Sequence, residues 1–298
     1  MSHAPEIRRI RLREGYEVVA YIHGPDLHDT GPETILLANG GPGLPSLYLR
    51  APHARLVDRG YRVVAWDQLG CGASDRPTDP ALWTLDRYVK EAEQVRAALD
   101  LGPVHVLGHS WGSWLFTEYS LTYPQWVKSY VIADGACDIP HLVSELHRLR
   151  AALGAETVTM MTAHEAQGTL DHPEYQAAVA LLNHRHVCRL PVWPDTLTDA
   201  LADWNMGPYE TMQGPNEFTY TGNMKDWNRV PAMAGIAAPC LVLAGKYDEL
   251  TPACSFRMHA ALPQSQIHIF PHSSHMPFYE EPEAYFAVLT RFYESINN

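Results

Sequence analysis

The stretch that most constrains the fold is residues 104–123, where a strand-like apolar run passes through the sequence GHSWG into a segment with helical spacing. A serine between two glycines at such a strand-to-helix turn has its hydroxyl exposed for nucleophilic attack. The glycines leave room where the strand and the helix crowd together. The first N–H groups of the new helix lie beside the reacting oxygen. The pattern therefore predicts Ser110 as a nucleophile, with an ordinary Gly/Ser turn as the alternative.

Strand-like and helix-like segments alternate on both sides of this stretch. An antiparallel hairpin is predicted first, over residues 7–22. The later predicted strands are short apolar runs, and they lie at 34–38, 62–66, 104–107, 129–133, 239–245 and 266–270. Because strands that alternate with helices pair in parallel, we expect an α/β fold, a mostly parallel sheet with helices on both faces.

The alternation stops over residues 138–231, which have helical periods and no convincing strand. The clearest helices in this segment are predicted at 141–164 and 174–186, and a loop punctuated by Gly, Pro and Asn is predicted at 207–227. We interpret residues 138–231 as an inserted helical cap. Residues 1–137 and 232–298 then form the catalytic core.

Composition restricts the function classes. The chain has 298 residues, of which 46% are apolar and 19% charged, values typical of a soluble globular enzyme. Its net charge of −12 opposes nucleic-acid binding, and no apolar run is long enough to cross a membrane. Five scattered cysteines without a Cys-x-x-Cys pair indicate free thiols in a reducing cytoplasm. The oligomeric state stays open.

A nucleophilic serine needs a base and an acid that orients the base. In chains with this motif the order is Ser, then Asp or Glu, then His. Asp248 directly follows a predicted strand, at the edge where α/β sheets place ligands, and Asp134 is the alternative acid. His275 follows the next predicted strand and is the predicted base, with His272 as its nearest rival. His275 would take the Ser110 proton and pass it to the leaving group.

The oxyanion formed by this attack needs N–H donors that are already in place. One predicted donor is the backbone N–H of Trp111, the residue after the nucleophile. The other is Gly41, within the sequence NGGPG at 39–43, where glycines let the backbone approach a substrate closely. A plain Gly/Pro turn is the alternative for that loop. Nothing in the sequence implies a cofactor or a metal site.

Four stretches together resemble one family: NGGPG at 39–43, DQLGCGASD at 67–75, GHSWGS at 108–113 and GPNEF at 214–218. The sequence is similar to the proline iminopeptidase family of α/β-hydrolases, and within it to the tricorn-interacting aminopeptidases. The resemblance implies the α/β-hydrolase fold with a cap. It also implies the release of one N-terminal residue, such as proline, from short peptides or amino acid amides.

The same resemblance implies that Glu217 and Glu249 bind the free α-amino group of the substrate. This group has a pKa near 8 and is mostly cationic at neutral pH, so two carboxylates in a partly closed pocket suit it. The alternative for Glu217 is a solvated loop charge. The alternative for Glu249 is an ion pair with Lys246 or Arg257.

Substrate choice is the least constrained property. Trp204 and Tyr209 are the cap aromatics predicted to line a pocket for the first side chain, with helix packing as the alternative. The family opens its glycine loop with His, whereas this chain has Asn39, which suits an amidase or an ester hydrolase as well. The second hypothesis is therefore a carboxylesterase or lactonase acting on a substrate without a free amine. A non-catalytic binding protein is the third.

Overall fold

The computed structural model describes residues 4–296, so the outermost residues of the predicted core, 1–3 and 297–298, lie outside it. Its strands are β1 Glu6–Arg11, β2 Glu17–His23, β3 Thr34–Ala38, β4 Arg62–Asp67, β5 Val104–His109, β6 Val127–Ala133, β7 Cys240–Gly245 and β8 Ser265–Phe270. They form one eight-stranded sheet in the order β1-β2-β4-β3-β5-β6-β7-β8. β1 with β2 and β2 with β4 are antiparallel, and the remaining pairs are parallel.

The parallel part of the sheet explains why its strands are continuous apolar runs. Every residue of β3, β4, β5 and β7 is buried, as expected for strands covered on both faces. The register pairs Ala38 with Gly108 and His109 with Ala133. The chain therefore leaves β3, β5 and β6 at one shared edge of the sheet.

Helices cover both faces of the sheet. The core helices are α1 Leu47–His53, α2 Leu85–Ala98, α3 Trp111–Thr122, α9 Pro252–Ala261, α10 Pro277–Glu280 and α11 Pro282–Ile296. Side chains from α2, α3 and α9 join one apolar cluster, and side chains from α1 and α11 join a second. Successive strand residues alternate between the two clusters, as the period of two requires. Within residues 4–296, no helix has the length and apolarity needed to cross a membrane.

Between β6 and β7 the chain forms five helices and no strand in this part of the structure. They are α4 Ile139–Ala151, α5 Ala155–Gln167, α6 Pro173–His186, α7 Asp195–Ala202 and α8 Met206–Met212. The single helix predicted over 141–164 is wrong, because Gly154 with φ 97° separates two helices there. The loop predicted over 207–227 is wrong at its start, where the Asn205 side chain caps α8.

Candidate active site

Ser110 occupies the turn between β5 and α3 in a strained conformation, with φ 56° and ψ −124°. Ser110 therefore lies just beyond the carboxyl end of β5, and the Ser110 N–H donates to the Ala133 carbonyl at 3.0 Å. The two flanking glycines are required by space. A Cβ on Gly108 would lie 2.2 Å from the Gly112 carbonyl oxygen, and a Cβ on Gly112 would lie 2.0 Å from the Ala38 carbonyl oxygen. The GHSWG sequence thus lets β5 and α3 pack tightly around an exposed hydroxyl.

His275 and Asp248 meet beside this serine. His275 Nδ1 donates to Asp248 Oδ1 at 2.8 Å, and the same oxygen accepts the Leu250 N–H at 2.9 Å. Both side chains are buried, whereas His272 is exposed. Ser110 and His275 line one cavity, and in the described structure no hydrogen bond joins the serine hydroxyl to the ring. Such bonds are often long before a substrate binds.

The charge of Asp248 affects the protonation of His275. Burial alone disfavours the imidazolium, yet the charge and hydrogen bond of Asp248 outweigh it, so the pKa of His275 is raised. Because Nδ1 donates to a carboxylate, Nε2 of the neutral ring is left as the proton acceptor. This is the tautomer that deprotonating a serine requires.

Asp134, the alternative acid, lies in the same cluster. Atoms of Asp134, Asp248 and His275 fall within 4.8 Å of one another. Asp134 is fully buried, and its pKa is raised well above the ordinary value by burial and by the charge of Asp248. Within this cluster a 2.8 Å hydrogen bond joins Asp248 to His275, and among the described residues no such bond joins Asp134 to His275.

The glycine loop at residues 39–43 is held by hydrogen bonds of its own. The Asn39 side-chain amide donates to the Leu44 carbonyl at 2.5 Å and to the Gly40 carbonyl at 3.3 Å. The amide at this position thus stabilises the conformation of the loop. The Gly40 N–H is engaged, because it donates to the Tyr48 hydroxyl at 2.6 Å. The Gly41 N–H has no acceptor among the described residues. Of the two glycines, Gly41 is therefore the one with a donor available for substrate.

A hydrogen-bond chain that the sequence did not reveal connects this loop to the base. His109 Nε2 donates to the His275 carbonyl at 2.8 Å, because a carbonyl only accepts. His109 Nδ1 must then accept, and it accepts from the Tyr48 hydroxyl at 2.8 Å. Burial, and next to it the nearby His275, lowers the pKa of His109, so the ring is neutral as this chain requires. In the sequence, only the polar side chain of His109 between Gly108 and Ser110 could have indicated this contact.

Two carboxyl groups line the cavity that contains Ser110. Glu217 accepts from the Gln213 side-chain amide at 2.9 Å. Glu249 is 1% exposed, and neither of its oxygens has a hydrogen-bond partner among the described residues. Burial raises the pKa of both groups, and the charge of Glu217 raises that of Glu249 further. Glu249 Oε1 lies 3.8 Å from His275 Nε2. The cavity beside Ser110 therefore holds two acidic side chains whose ionised forms are disfavoured by burial.

The ion pairs considered for Glu249 are not formed. Arg257 pairs with Asp138 at 2.8 Å, and Lys246 lies over the Tyr247 ring. Glu217 is not a solvated loop charge either, because it faces the cavity. The turn before Glu217 requires glycine at position 214. Its φ is 155°, and a Cβ added there would lie 2.1 Å from the Thr219 carbonyl oxygen.

The cavity has a volume of about 90 Å³ and an apolar wall. Trp204 lines it, and its indole N–H donates to the Pro42 carbonyl at 3.0 Å. Tyr209 lies behind the wall, where its hydroxyl accepts from Gln213 at 2.6 Å. Tyr209 thus contacts the amide that holds Glu217 and does not itself line the cavity. Other wall residues are Leu44, Val187, Trp193, Leu201 and Met276.

Known sequences resemble this chain over most of its length. A family model described as alpha/beta hydrolase fold matches residues 33–282. The proline iminopeptidase of Heyndrickxia coagulans is 38% identical over 267 residues, which are 89% of this chain and 92% of that protein. The proline iminopeptidase of Saccharolobus solfataricus is 34% identical and covers 88% of this chain and 85% of its own.

Solved structures agree with these sequences. The crystal structure of VinJ superimposes with a TM-score of 0.93 at 30% identity, covering 98% of this chain and 99% of that one. The crystal structure of the proline iminopeptidase of Mycobacterium smegmatis gives a TM-score of 0.89 at 32% identity, covering 98% of both chains. The likeness therefore includes the segment between β6 and β7 as well as the sheet.

Proposed function

The chain belongs to the proline iminopeptidase family of α/β-hydrolases, and from that premise we propose that it is a serine aminopeptidase acting on short peptides or amino acid amides. It releases the first residue through an acyl-enzyme. The expectation of an α/β-hydrolase fold is confirmed by the family match and by the sheet. In this proposal residues 138–231 are the cap, and the rest of the chain is the catalytic core.

The observation that carries the proposal is Glu249. A buried carboxylate without any hydrogen-bond partner is strongly unfavourable unless a ligand supplies the partner. Glu217 lies in the same cavity as Ser110 and adds a second acidic group. A substrate ammonium bound between the two would be neutralised and would offer N–H donors to the orphaned oxygens. An acylated N-terminus carries no positive charge and keeps at most one N–H donor.

The proposed reaction uses the groups around Ser110. His275 Nε2 takes the hydroxyl proton as the oxygen attacks the carbonyl of the first residue, and Asp248 stabilises the imidazolium. The N–H groups of Gly41 and Trp111 receive the oxyanion, each worth roughly 3 kcal/mol in comparable sites. The imidazolium then protonates the leaving amine. Water attacks the acyl-enzyme by the same route and frees the amino acid.

The cavity favours a small first residue. Its volume of about 90 Å³ and its wall of Leu44, Trp193 and Trp204 suit a pyrrolidine ring or a short aliphatic side chain. The relatives are called proline iminopeptidases, and we extend proline to this chain as the first candidate, with alanine as the second. All five cysteines are free thiols, which supports placing the enzyme in the reducing cytoplasm.

One panel of chromogenic substrates tests the proposal. It contains the p-nitroanilides of proline and alanine, the N-acetylated forms of both, and p-nitrophenyl acetate. We expect the free-amine anilides to be cut and acetylation to abolish the cutting. Ser110→Ala should abolish all turnover and keep the thermal unfolding midpoint near that of the wild type.

Three results would contradict the proposal. Cleavage of only the ester, or equal cleavage of free and acetylated anilides, would favour a carboxylesterase or lactonase with structural glutamates. Activity of Ser110→Ala near the wild-type level would show that another group is the nucleophile. Complete inertness of the wild-type chain toward every substrate would favour a binding protein on a hydrolase fold.

A further inference from the structure

Asp134 lies at the end of β6 beside the catalytic groups, and the mechanism above gives it no task. Its side chain is fully buried, and its φ of 51° is uncommon for a residue other than glycine. Asp134 Oδ1 accepts the Gly245 N–H at 3.1 Å, which ties β6 to the end of β7. The other oxygen, Oδ2, has no hydrogen-bond partner in the described part of the chain.

A second unpartnered oxygen lies beside it. Asp248 uses Oδ1 for His275 and for the Leu250 N–H, while its Oδ2 is buried without a partner. Oxygens of Asp134 and Asp248 lie within 4.8 Å of each other. Two ionised carboxylates so close together in a fully buried site repel each other and lose their hydration. One proton held between the two groups removes the repulsion and gives both orphaned oxygens a partner.

The hydrogen bonds around the two groups differ, and this difference favours one carboxyl as the holder of such a proton. Asp248 receives two donors and faces the imidazole, so its anionic form is stabilised. Asp134 receives one donor, from Gly245. We propose that Asp134 is a positioning residue that stays protonated and donates its Oδ2–H to Asp248 Oδ2. Asp248 then keeps one orientation and one charge throughout turnover.

The surroundings of Asp134 agree with a neutral group. Burial, followed by the charge of Asp248, raises its pKa, and the charge of Glu280 acts in the same direction. The phenols of Tyr48 and Tyr285 also face it, and burial raises the pKa of both, so they stay neutral. His275 is the cation of the cluster when protonated, and it bonds to Asp248.

The donated proton also sets the strength of the base. An Asp248 carboxylate that accepts a further hydrogen bond attracts the imidazolium less strongly. His275 therefore loses its proton at a lower pH than it would beside an Asp248 without this donor. This role depends on the proposed triad and not on amine recognition, so the neutral ester p-nitrophenyl acetate can report it.

The test is the pH profile of kcat/KM with that ester for the wild type, Asp134→Asn and Asp134→Ala. The acid limb of this profile is the fall in rate at low pH, where His275 becomes protonated. An asparagine can accept the Gly245 N–H and donate to Asp248, so Asp134→Asn should keep the acid limb in place and retain most of the rate. Asp134→Ala should lose about tenfold in kcat/KM, and its acid limb should move to higher pH. Glu91→Gln, a buried acid bonded to Trp66 and Leu69 and paired with Arg87, is the control, expected to leave the limb unmoved even if it lowers stability.

Two outcomes would overturn the proposal. An acid limb that moves to lower pH in Asp134→Asn would mean that Asp134 is ionised in the native enzyme, because the variant would have removed a negative charge near His275. A wild-type rate and limb in Asp134→Ala would mean that it positions nothing. If Asp134→Ala does not fold, the position of the acid limb in Asp134→Asn is sufficient to test the proposal. Failure of the aminopeptidase proposal would appear separately, as turnover of the ester without turnover of free-amine anilides.

Discussion

At the scale of single residues, Glu217 and Glu249 differ in how well they are satisfied. Glu217 has the Gln213 amide, whereas Glu249 has no hydrogen-bond partner in the structure as described. A neutral, protonated Glu249 tolerates that burial better than a charged one, and the direction of its pKa agrees. Substrate arrival as an ammonium would reverse the preference, so amine binding and ionisation of Glu249 are coupled.

In the proposed mechanism Glu217 acts on the base as well as on the amine. Its charge contributes to the raised pKa of His275. A raised pKa keeps the ring protonated, and inactive as a base, up to a higher pH. Glu217→Gln removes the charge, so the acid limb of kcat/KM for p-nitrophenyl acetate should move to lower pH. A limb that stays in place or moves upward would show that Glu217 is uncharged in the free enzyme or too distant to matter.

At the scale of elements, the end of α6 joins the inserted segment to both catalytic loops. The carbonyl of His186 accepts the N–H of Glu249 at 3.3 Å and the N–H of His275 at 3.2 Å. His186 Nδ1 also donates to the Tyr247 carbonyl at 2.8 Å. One helix terminus therefore sets the positions of an amine-binding candidate and of the base. Movement of α6 would change amine recognition and proton transfer together.

A series of hydrogen bonds from Gly40 through Tyr48 and His109 to His275 joins the glycine loop at residues 39–43 to the loop that contains His275. Tyr48→Phe removes the hydroxyl that accepts the Gly40 N–H and donates to His109. The oxyanion loop loses a partner, so kcat should fall about tenfold with little change in KM. Steady-state kinetics on the best anilide measures this split.

Tyr293→Phe is the matched control for that variant. Its hydroxyl is also buried but has no hydrogen-bond partner in the described structure. Removing it should leave kcat unchanged and should not lower the thermal unfolding midpoint. If Tyr48→Phe behaves like Tyr293→Phe, the chain of hydrogen bonds has no part in positioning the oxyanion loop.

At the scale of the whole molecule, the parallel sheet brings together residues far apart in sequence. Ser110, Asp248 and His275 each follow a parallel strand, and the carboxyl ends of such strands share one edge. Motif spacing and chain order alone predict all three as the triad, and the structure places them at this shared edge. The break at Gly154 was missed because the apolar spacing continues through it, while the left-handed φ depends on backbone context.

Other features had no local signal to find. Tyr48 and His109 are 61 residues apart, and their contact depends on α1 packing against the end of β5. The absence of a partner for Glu249 is likewise a property of the folded cavity, since Lys246 and Arg257 lie close in sequence and point elsewhere. Tyr209 was predicted from its aromatic character, but only the fold shows that it lies behind Glu217.

The most direct measurement compares kcat/KM for free and N-acetylated proline or alanine p-nitroanilide in the wild type, Glu249→Gln and Glu210→Gln. Glu210 is exposed on α8 and serves as the matched control. The ratio of free to acetylated substrate should be large in the wild type and unchanged in Glu210→Gln. It should fall about 10- to 100-fold in Glu249→Gln, as expected when a buried charged pair loses one partner. A wild-type ratio near one, or an unchanged ratio in Glu249→Gln, would contradict amine recognition by this carboxylate.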